Sequence, residues 1–182
     1  LGIYTKDDTQ LLFFDTPGWQ PNPKKLLNKN MNREVRSSLK DIDCILMLVD
    51  ARGWMPDDDV VVSLFPEHQT TKTILAFNKV DLVREKRNLL KLVDDLKKKY
   101  SFFNEYLFIS AKRKIGISGM CDMLSEICPE QPFIFDTETL TNRSERFLVS
   151  ELVREKLFRY LGKELPYETK VSVDEYKETN NL

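Results

Sequence analysis

The chain has 182 residues, enough for one whole domain and part of a second, and its 41% apolar and 31% charged residues support a packed core and exclude disorder throughout. A formal net charge of −1 offers phosphate no overall attraction, so any nucleic-acid contact has to come from a local basic patch. The three cysteines (Cys44, Cys121 and Cys128) lack CxxC spacing and read as reduced thiols used as small apolar residues, while the longest apolar run, Cys44 to Val49, falls far short of the ~20 residues of a membrane span.

In chain order, Leu1 to Tyr4 reads as strand from the first residue, with no signal-peptide pattern and no initiating methionine, so a start further upstream is expected. Gln10 to Asp15 is a second apolar run that breaks into a turn at Thr16-Pro17-Gly18. Lys25 to Leu39 is polar enough for an exposed helix, and Cys44 to Asp50 is continuously apolar, as expected of a strand covered on both faces. Asp57-Asp58-Asp59 opens a short helix, where acids suit the positive end of the helix dipole. Thr73 to Phe77 is a buried strand ending at Asn78. Arg84 to Tyr100 is an amphipathic helix with Leu89, Val93, Leu96 and Tyr100 on one face. Tyr106 to Ile109 is a short strand ending at Ser110, and Ile117 to Ile127 is a helix with Met120, Met123, Leu124 and Ile127 as its apolar stripe. Strands alternating with helices of this length predict βαβ units, a mostly parallel sheet and ligand contacts at the carboxyl ends of its strands.

Pro129 to Thr141 reads as a linker. Beyond it Asn142 and Glu145 are spaced as a capping box, and the predicted helix carries Val149, Leu152, Val153, Leu157 and Tyr160 as a buried stripe, ended by Gly162 and Pro166. Tyr167 to Tyr176 alternates like a strand. One helix and one strand cannot bury a core, so this second unit is expected to be incomplete.

Three predicted strands close on polar signatures. In Asn78-Lys79-Val80-Asp81 the Asp81 carboxylate can accept from the ring N–H and exocyclic amine of guanine, an arrangement adenine lacks, and an acid left unpaired rejects the wrong base strongly. Asn78 would brace the loop, and the Lys79 stem would lie along the ring face with its charge in water. In Asp15-Thr16-Pro17-Gly18 the carboxylate can hold Mg²⁺ through a water, and Gly18 lets its N–H approach a γ-phosphate closely. In Ser110-Ala111-Lys112 backbone N–H groups can meet the guanine carbonyl. Taken singly, the first is equally a helix-capping loop, the second an ordinary turn and the third a common string.

Their order decides between these readings. Asp15 to Gly18, about sixty residues later Asn78 to Asp81, and about thirty later Ser110 to Lys112 resemble the G3, G4 and G5 motifs of translation-factor-like P-loop GTPases. Asp15 to Gly18, Arg52-Gly53-Trp54-Met55-Pro56-Asp57-Asp58, Asn142 to Phe147 and the run Ser150 to Tyr167 further resemble the Era family, GTPases with a C-terminal KH domain. The resemblance implies an α/β fold of P-loop GTPase type, a mostly parallel sheet with flanking helices over residues 1–128, a linker over 129–141 and the start of an α+β KH type II domain over 142–182. It implies nucleotide contacts at Asp15, Thr16, Pro17, Gly18, Trp19, Asn78, Lys79, Val80, Asp81, Ser110, Ala111 and Lys112, with GTP or GDP and Mg²⁺ as cofactors. It also implies GTP hydrolysis and binding of 16S rRNA in assembly of the 30S ribosomal subunit, with Arg143, Arg146, Arg154 and Lys156 as candidate RNA contacts. A cytoplasmic monomer, peripheral at the inner face of the membrane, completes that expectation.

The sequence departs from this pattern in places. No GxxxxGK(S/T) loop occurs, the switch threonine is expected just before Leu1, and the KH phosphate-clamping GxxG is absent, so these residues alone are expected to bind GTP weakly and hydrolyse it negligibly. Trp19 stands where many GTPases place a water-orienting glutamine, and no catalytic role is assigned to it. His68 reads as a surface residue and Lys97-Lys98-Lys99 as the charged end of an exposed helix. The rival reading is a noncatalytic RNA- or ribosome-binding module with a degenerate G domain. A relative of the tRNA-modifying GTPases is disfavoured by the Arg143 to Leu161 segment.

Overall fold

The computed structural model of the chain describes residues 1–16, 42–65, 71–161 and 169–175. Strands β1 (Gly2–Lys6) and β2 (Thr9–Phe13) form an antiparallel hairpin in the register Gly2↔Phe13 to Lys6↔Thr9, turning at Asp7, whose φ of 50° is a left-handed conformation that aspartate tolerates. Strand β3 (Cys44–Asp50), helix α1 (Pro56–Val62), strand β4 (Lys72–Asn78), helix α2 (Lys86–Lys99) and strand β5 (Glu105–Phe108) build a parallel sheet in the order β3-β4-β5. Helix α3 (Ile117–Ile127) follows.

The central strand β4 is sealed on both faces, with Thr73 to Phe77 at 0% exposure. Because successive strand side chains point to opposite faces, the strand feeds two cores. Leu75 and Phe77 meet Met47, Val49, Leu89, Val93 and Leu96 on one side. Ile74 and Ala76 meet Ile109, Met120, Cys121, Leu124 and, from the hairpin, Leu11 on the other. The predicted stripes of α2 and α3 face these cores: Leu89, Val93, Leu96, Met120 and Leu124 are buried, Tyr100, Met123 and Ile127 are partly buried against them, and Cys121 joins the buried set. The cysteines are free, and burial pushes the Cys44 thiol up to about 11, so it stays protonated at neutral pH.

One expectation for β3 fails. Ile45, Met47 and Val49 are buried, but on the other face Cys44 and Leu46 are only partly covered and Leu48 is 55% exposed, so burial is complete on one face alone. The cause is its place at the sheet edge: β2 and β3 rest on the same core without pairing to each other. Between them runs a groove of about 1060 Å³ lined by Leu12, Phe14, Asp15, Leu46, Leu48 and Cys128.

The segment expected as a linker is anchored. The Gln10 carboxamide accepts from the Ile134 and Phe135 N–H groups (3.1 and 3.0 Å) and donates to the Phe135 carbonyl (2.9 Å). Further along, the Ile3 N–H donates to the Leu140 carbonyl (2.9 Å) and the Thr141 hydroxyl to the Leu1 carbonyl (2.7 Å).

Helix α4 (Glu145–Leu161) follows. It is not capped by Asn142 as expected. The helix begins later, and the Ser144 side chain accepts from the Phe147 N–H (3.4 Å) while its carbonyl accepts from Leu148 (3.1 Å). The expected buried stripe is also corrected: Val149 and Leu157 are half-buried, whereas Leu152, Val153 and Tyr160 are exposed, because no described element packs along that face. Residues 169–175, expected within a strand, are not in one, since no described strand offers them a ladder. The helix expected over Lys25 to Leu39, His68 and the stop at Gly162 to Pro166 lie outside the described residues. No described helix is long and apolar enough to cross a membrane.

Candidate functional site

The strand-end motifs on β4 and β5 converge through one side chain. Asn78 closes β4, and its Oδ1 accepts from the Lys79 N–H (2.8 Å) and from the Ala111 N–H (3.0 Å), so a single carboxamide ties the two loops together. Their backbones are also locked. The Ile109 N–H donates to the Phe77 carbonyl (2.9 Å) and the Val80 N–H to the Ile109 carbonyl (3.2 Å). Lys79 sits at φ 65°, ψ 34°, a left-handed conformation that costs a non-glycine residue about 1 kcal/mol or more and persists where its surroundings over-determine it. Val80–Leu82 then form one 3₁₀ turn that carries Asp81 outward, exposed, with no described residue donating to its carboxylate.

The second loop is pinned from below. Ser110 is fully buried, exchanges both backbone hydrogen bonds with Ile115 (3.0 and 3.1 Å), and its hydroxyl accepts from the Arg113 N–H (3.2 Å). Gly116 takes φ 70°, and a Cβ there would stand 2.5 Å from the Phe108 carbonyl oxygen, so only glycine fits between this loop and α3. Ala111 and Lys112 remain exposed at the rim. The Ala111 N–H, expected to face a ligand carbonyl, is instead taken by Asn78, leaving that part to Lys112 among the described residues.

Asp15 and Thr16 lie just past the end of β2, Asp15 exposed, on the rim of the groove beside β3. Pro17, Gly18 and Trp19 lie outside the described residues. No three described acidic, histidine or cysteine side chains gather as a metal cage.

Two residues not singled out by the motifs belong to this end of the sheet. Asp50, paired in register with Asn78, accepts from the Arg52 N–H (3.0 Å), Arg52 Nε (2.9 Å), Arg52 Nη2 (2.7 Å) and Lys79 Nζ (3.0 Å). The Arg52 guanidinium above all, with Lys79 adding to it, holds the Asp50 carboxyl well below the usual carboxylate range. The local signal was slight: β3, like β4, ends in a polar residue, but nothing near Asp50 in the sequence points to its pairing with Asn78.

Asp59 makes a separate cluster on α1. Its carboxylate accepts from Trp54 Nε1 (2.5 Å), the Tyr100 hydroxyl (2.6 Å) and Lys99 Nζ (2.8 Å). The Lys99 bond first, then those from Tyr100 and Trp54, lower its pKa to about 2. Pro56 opens α1, and the Met55 N–H donates to Asp58 (2.7 Å), so this stretch is a capped helix start joined to the end of α2.

The candidate RNA residues lie on helix α4 and just before it. Arg143 lies over the Phe147 ring (5.2 Å), Arg154 is paired with Glu151 on the same helix, and Arg146 and Lys156 are exposed.

Comparison with known proteins gives this arrangement a family. The family of the elongation factor Tu GTP binding domain matches residues 4–130. GTPase Era of Chromobacterium violaceum is 38% identical over 176 residues, which are 97% of this chain and 58% of that protein. Era solved in complex with MgGDPNP and nucleotides 1506–1542 of 16S ribosomal RNA superposes with a TM-score of 0.76 at 29% identity, covering 86% of this chain and 53% of that one. Aquifex aeolicus Era bound to GDP and AlF4⁻ superposes with a TM-score of 0.75 at 29% identity, covering 87% and 54%. The chain therefore spans little more than half the length of the relatives it matches. The chain belongs to the family of the elongation factor Tu GTP binding domain and, along nearly all of its own length, is similar to Era GTPases.

Proposed function

We propose that this chain supplies the guanine-reading side of an Era-type GTPase that binds GTP and GDP, hydrolyses GTP with Mg²⁺ in the full-length protein, and binds small-subunit ribosomal RNA. The observation that carries the reading is the Asn78 carboxamide, which spans both loops and leaves the Asp81 carboxylate exposed and unengaged by described residues.

The residues fit the ligand. Asp81 presents two acceptor oxygens to the ring N–H and amine of guanine; adenine would leave them unpaired, which is the source of rejection. The Lys79 stem faces the base plane, and the Lys112 N–H is the donor left for the guanine carbonyl. Mg²⁺ is bound in such proteins by one or two carboxylates, waters and substrate phosphates, so a single exposed carboxylate at Asp15 suits a contact through water. When bound, that ion neutralises charge developing on the phosphate oxygens. The chain's own part is positioning: Asn78 ties the two loops together, Asp81 would orient the base, and Asp15 would hold the ion through water. Residues after Thr16 would respond to the γ-phosphate.

The reading that it binds 16S rRNA is supported by the related Era seen with nucleotides 1506–1542, and a role in 30S assembly is proposed with it. Arg143, Arg146 and Lys156 are the contacts we assign on this chain. Arg154, engaged by Glu151, is the weakest of the four candidates.

The test uses the natural full-length protein carrying this chain. Single-turnover GTP hydrolysis should require Mg²⁺ and fall sharply in Asp15→Ala. Binding to an RNA of the 16S 3′ end should weaken with salt and with Arg146→Ala and Lys156→Ala. Hydrolysis that is indifferent to Asp15, or no RNA binding at low salt, would contradict the proposal.

A further inference from the structure

Asp50 stands outside the three strand-end motifs, yet it holds a motif side chain, that of Lys79. Register brings it there: Asp50 pairs with Asn78, and the Ala51 N–H donates to the Asn78 carbonyl (2.8 Å), carrying the β3–β4 ladder one residue past the strand ends. Lys79 then leaves β4 in a left-handed conformation (φ 65°). That turn is held by the Asn78 carboxamide on its N–H and by the Leu82 N–H on its carbonyl (2.9 Å). The side chain runs back across the strand ends to Asp50, with Nζ at 3.0 Å from Oδ2.

Asp50 itself is fixed independently of Lys79. Arg52 grips it with a backbone N–H and two guanidinium nitrogens, a fork geometry that sets the carboxylate plane. The Asp50 side chain is 23% exposed, against 60% for Arg52 and 52% for Lys79, so the anchor is the least solvated member of the three. A lysine stem has several rotatable bonds. Left free, it would lose that freedom when a ring settles on it, and holding it extended beforehand raises affinity without adding a contact to the ligand.

We propose that Asp50, braced by Arg52, is a positioning residue for the nucleotide base: it fixes the Lys79 ammonium so that the Lys79 stem forms the wall on which the guanine ring lies. This rests on the guanine reading above and deepens it, separating two tasks at one site: Asp81 chooses the base, and Asp50 keeps its supporting wall in place.

The experiment measures dissociation of fluorescent GDP from the full-length protein for wild type, Asp50→Asn, Lys79→Met and the double variant, with thermal melts alongside. Asp50→Asn and Lys79→Met should each speed dissociation by roughly three- to tenfold, the range open to a half-exposed ion pair that orders a stem. The double variant should match Lys79→Met alone, and preference for GDP over ADP should persist throughout, because Asp81 is untouched. Rising salt should bring wild type toward Asp50→Asn. Unchanged dissociation in Asp50→Asn, or effects that add in the double variant, would overturn the inference. A wild-type protein that binds GDP and ADP alike would instead overturn the guanine reading on which it stands. Should Asp50→Asn melt much earlier than wild type, Arg52→Ala decides: it leaves Asp50 in place, and its effect should vanish in the Lys79→Met background, whereas an effect that survives there contradicts the proposal.

Discussion

At the carboxyl ends of β4 and β5, loops at the surface are tied down from several directions at once, whereas along α4 a regular helix displays large apolar side chains that nothing described covers. Asn78 bonds two loops, Ser110 bonds Ile115 twice, and Gly116 admits the Phe108 carbonyl where any side chain would collide. On α4, Leu152 is 58% and Tyr160 84% exposed, and two ion pairs, Glu151 to Arg154 and Glu155 to Arg159, are internal to the helix. Regular secondary structure is therefore no measure here of how many ties hold a segment to the rest of the fold. Irregular backbone that joins two strand ends of a sealed sheet is the better-determined region, and that is where a ligand needs fixed donors and acceptors.

Substitutions break or sharpen this contrast in descending order. Phe77→Ala, at the sealed end of β4 beneath the loops, should cost about 3–5 kcal/mol in denaturant unfolding, since its ring is fully buried and stacks on Phe108 at 5.6 Å. Gly116→Ala should cost about 1–3 kcal/mol, because it imposes both a left-handed alanine and a 2.5 Å clash; hydrogen exchange should quicken at Ser110 and Ile115 in the same variant. Asp59→Asn probes a tie between helices away from the site. Its folded pKa of about 2 lies below the unfolded value of about 4, so its contribution is full above pH 4 and is lost as pH falls toward 2. With the side chain 40% exposed, that contribution is at most about 1 kcal/mol, and the variant should show a correspondingly flatter stability profile between pH 4 and 2. Leu152→Ala should change stability by less than about 0.5 kcal/mol, the usual scale for a surface position; a larger loss would show that α4 is covered after all.

Much of this was legible in the residues. The continuously apolar run at Thr73 to Phe77 and the stripe Leu89, Val93, Leu96 are local patterns, and they fold as those patterns predict. The stripe on α4 has similar spacing and failed, because burial requires a partner surface and spacing says nothing about whether one is present. The expectation that β3 is covered on both faces failed at Leu48 for the same reason. At the site, Asn78 and Asp81 were readable as motif members, but Asp50 and Arg52 were not. Their part comes from a strand register that pairs Asp50 with Asn78 across 28 residues of sequence, and no local pattern encodes it. The Gln10 clamp on Ile134 and Phe135 is of the same kind: a single carboxamide bonded to backbone more than a hundred residues away turns an apparent linker into a docked segment.

The central claim is that Asp81 reads guanine, and nucleotide competition tests it most directly. Fluorescent GDP bound to the natural full-length protein would be displaced with GTP, ATP or XTP, for wild type and for Asp81→Asn. The account predicts that GTP displaces the probe and ATP does not in wild type, and that Asp81→Asn shifts preference from GTP to XTP by at least about a hundredfold, because xanthine offers an acceptor where guanine offers its amine. Equal displacement by ATP and GTP in wild type, or an Asp81→Asn protein with unchanged preference, would contradict it.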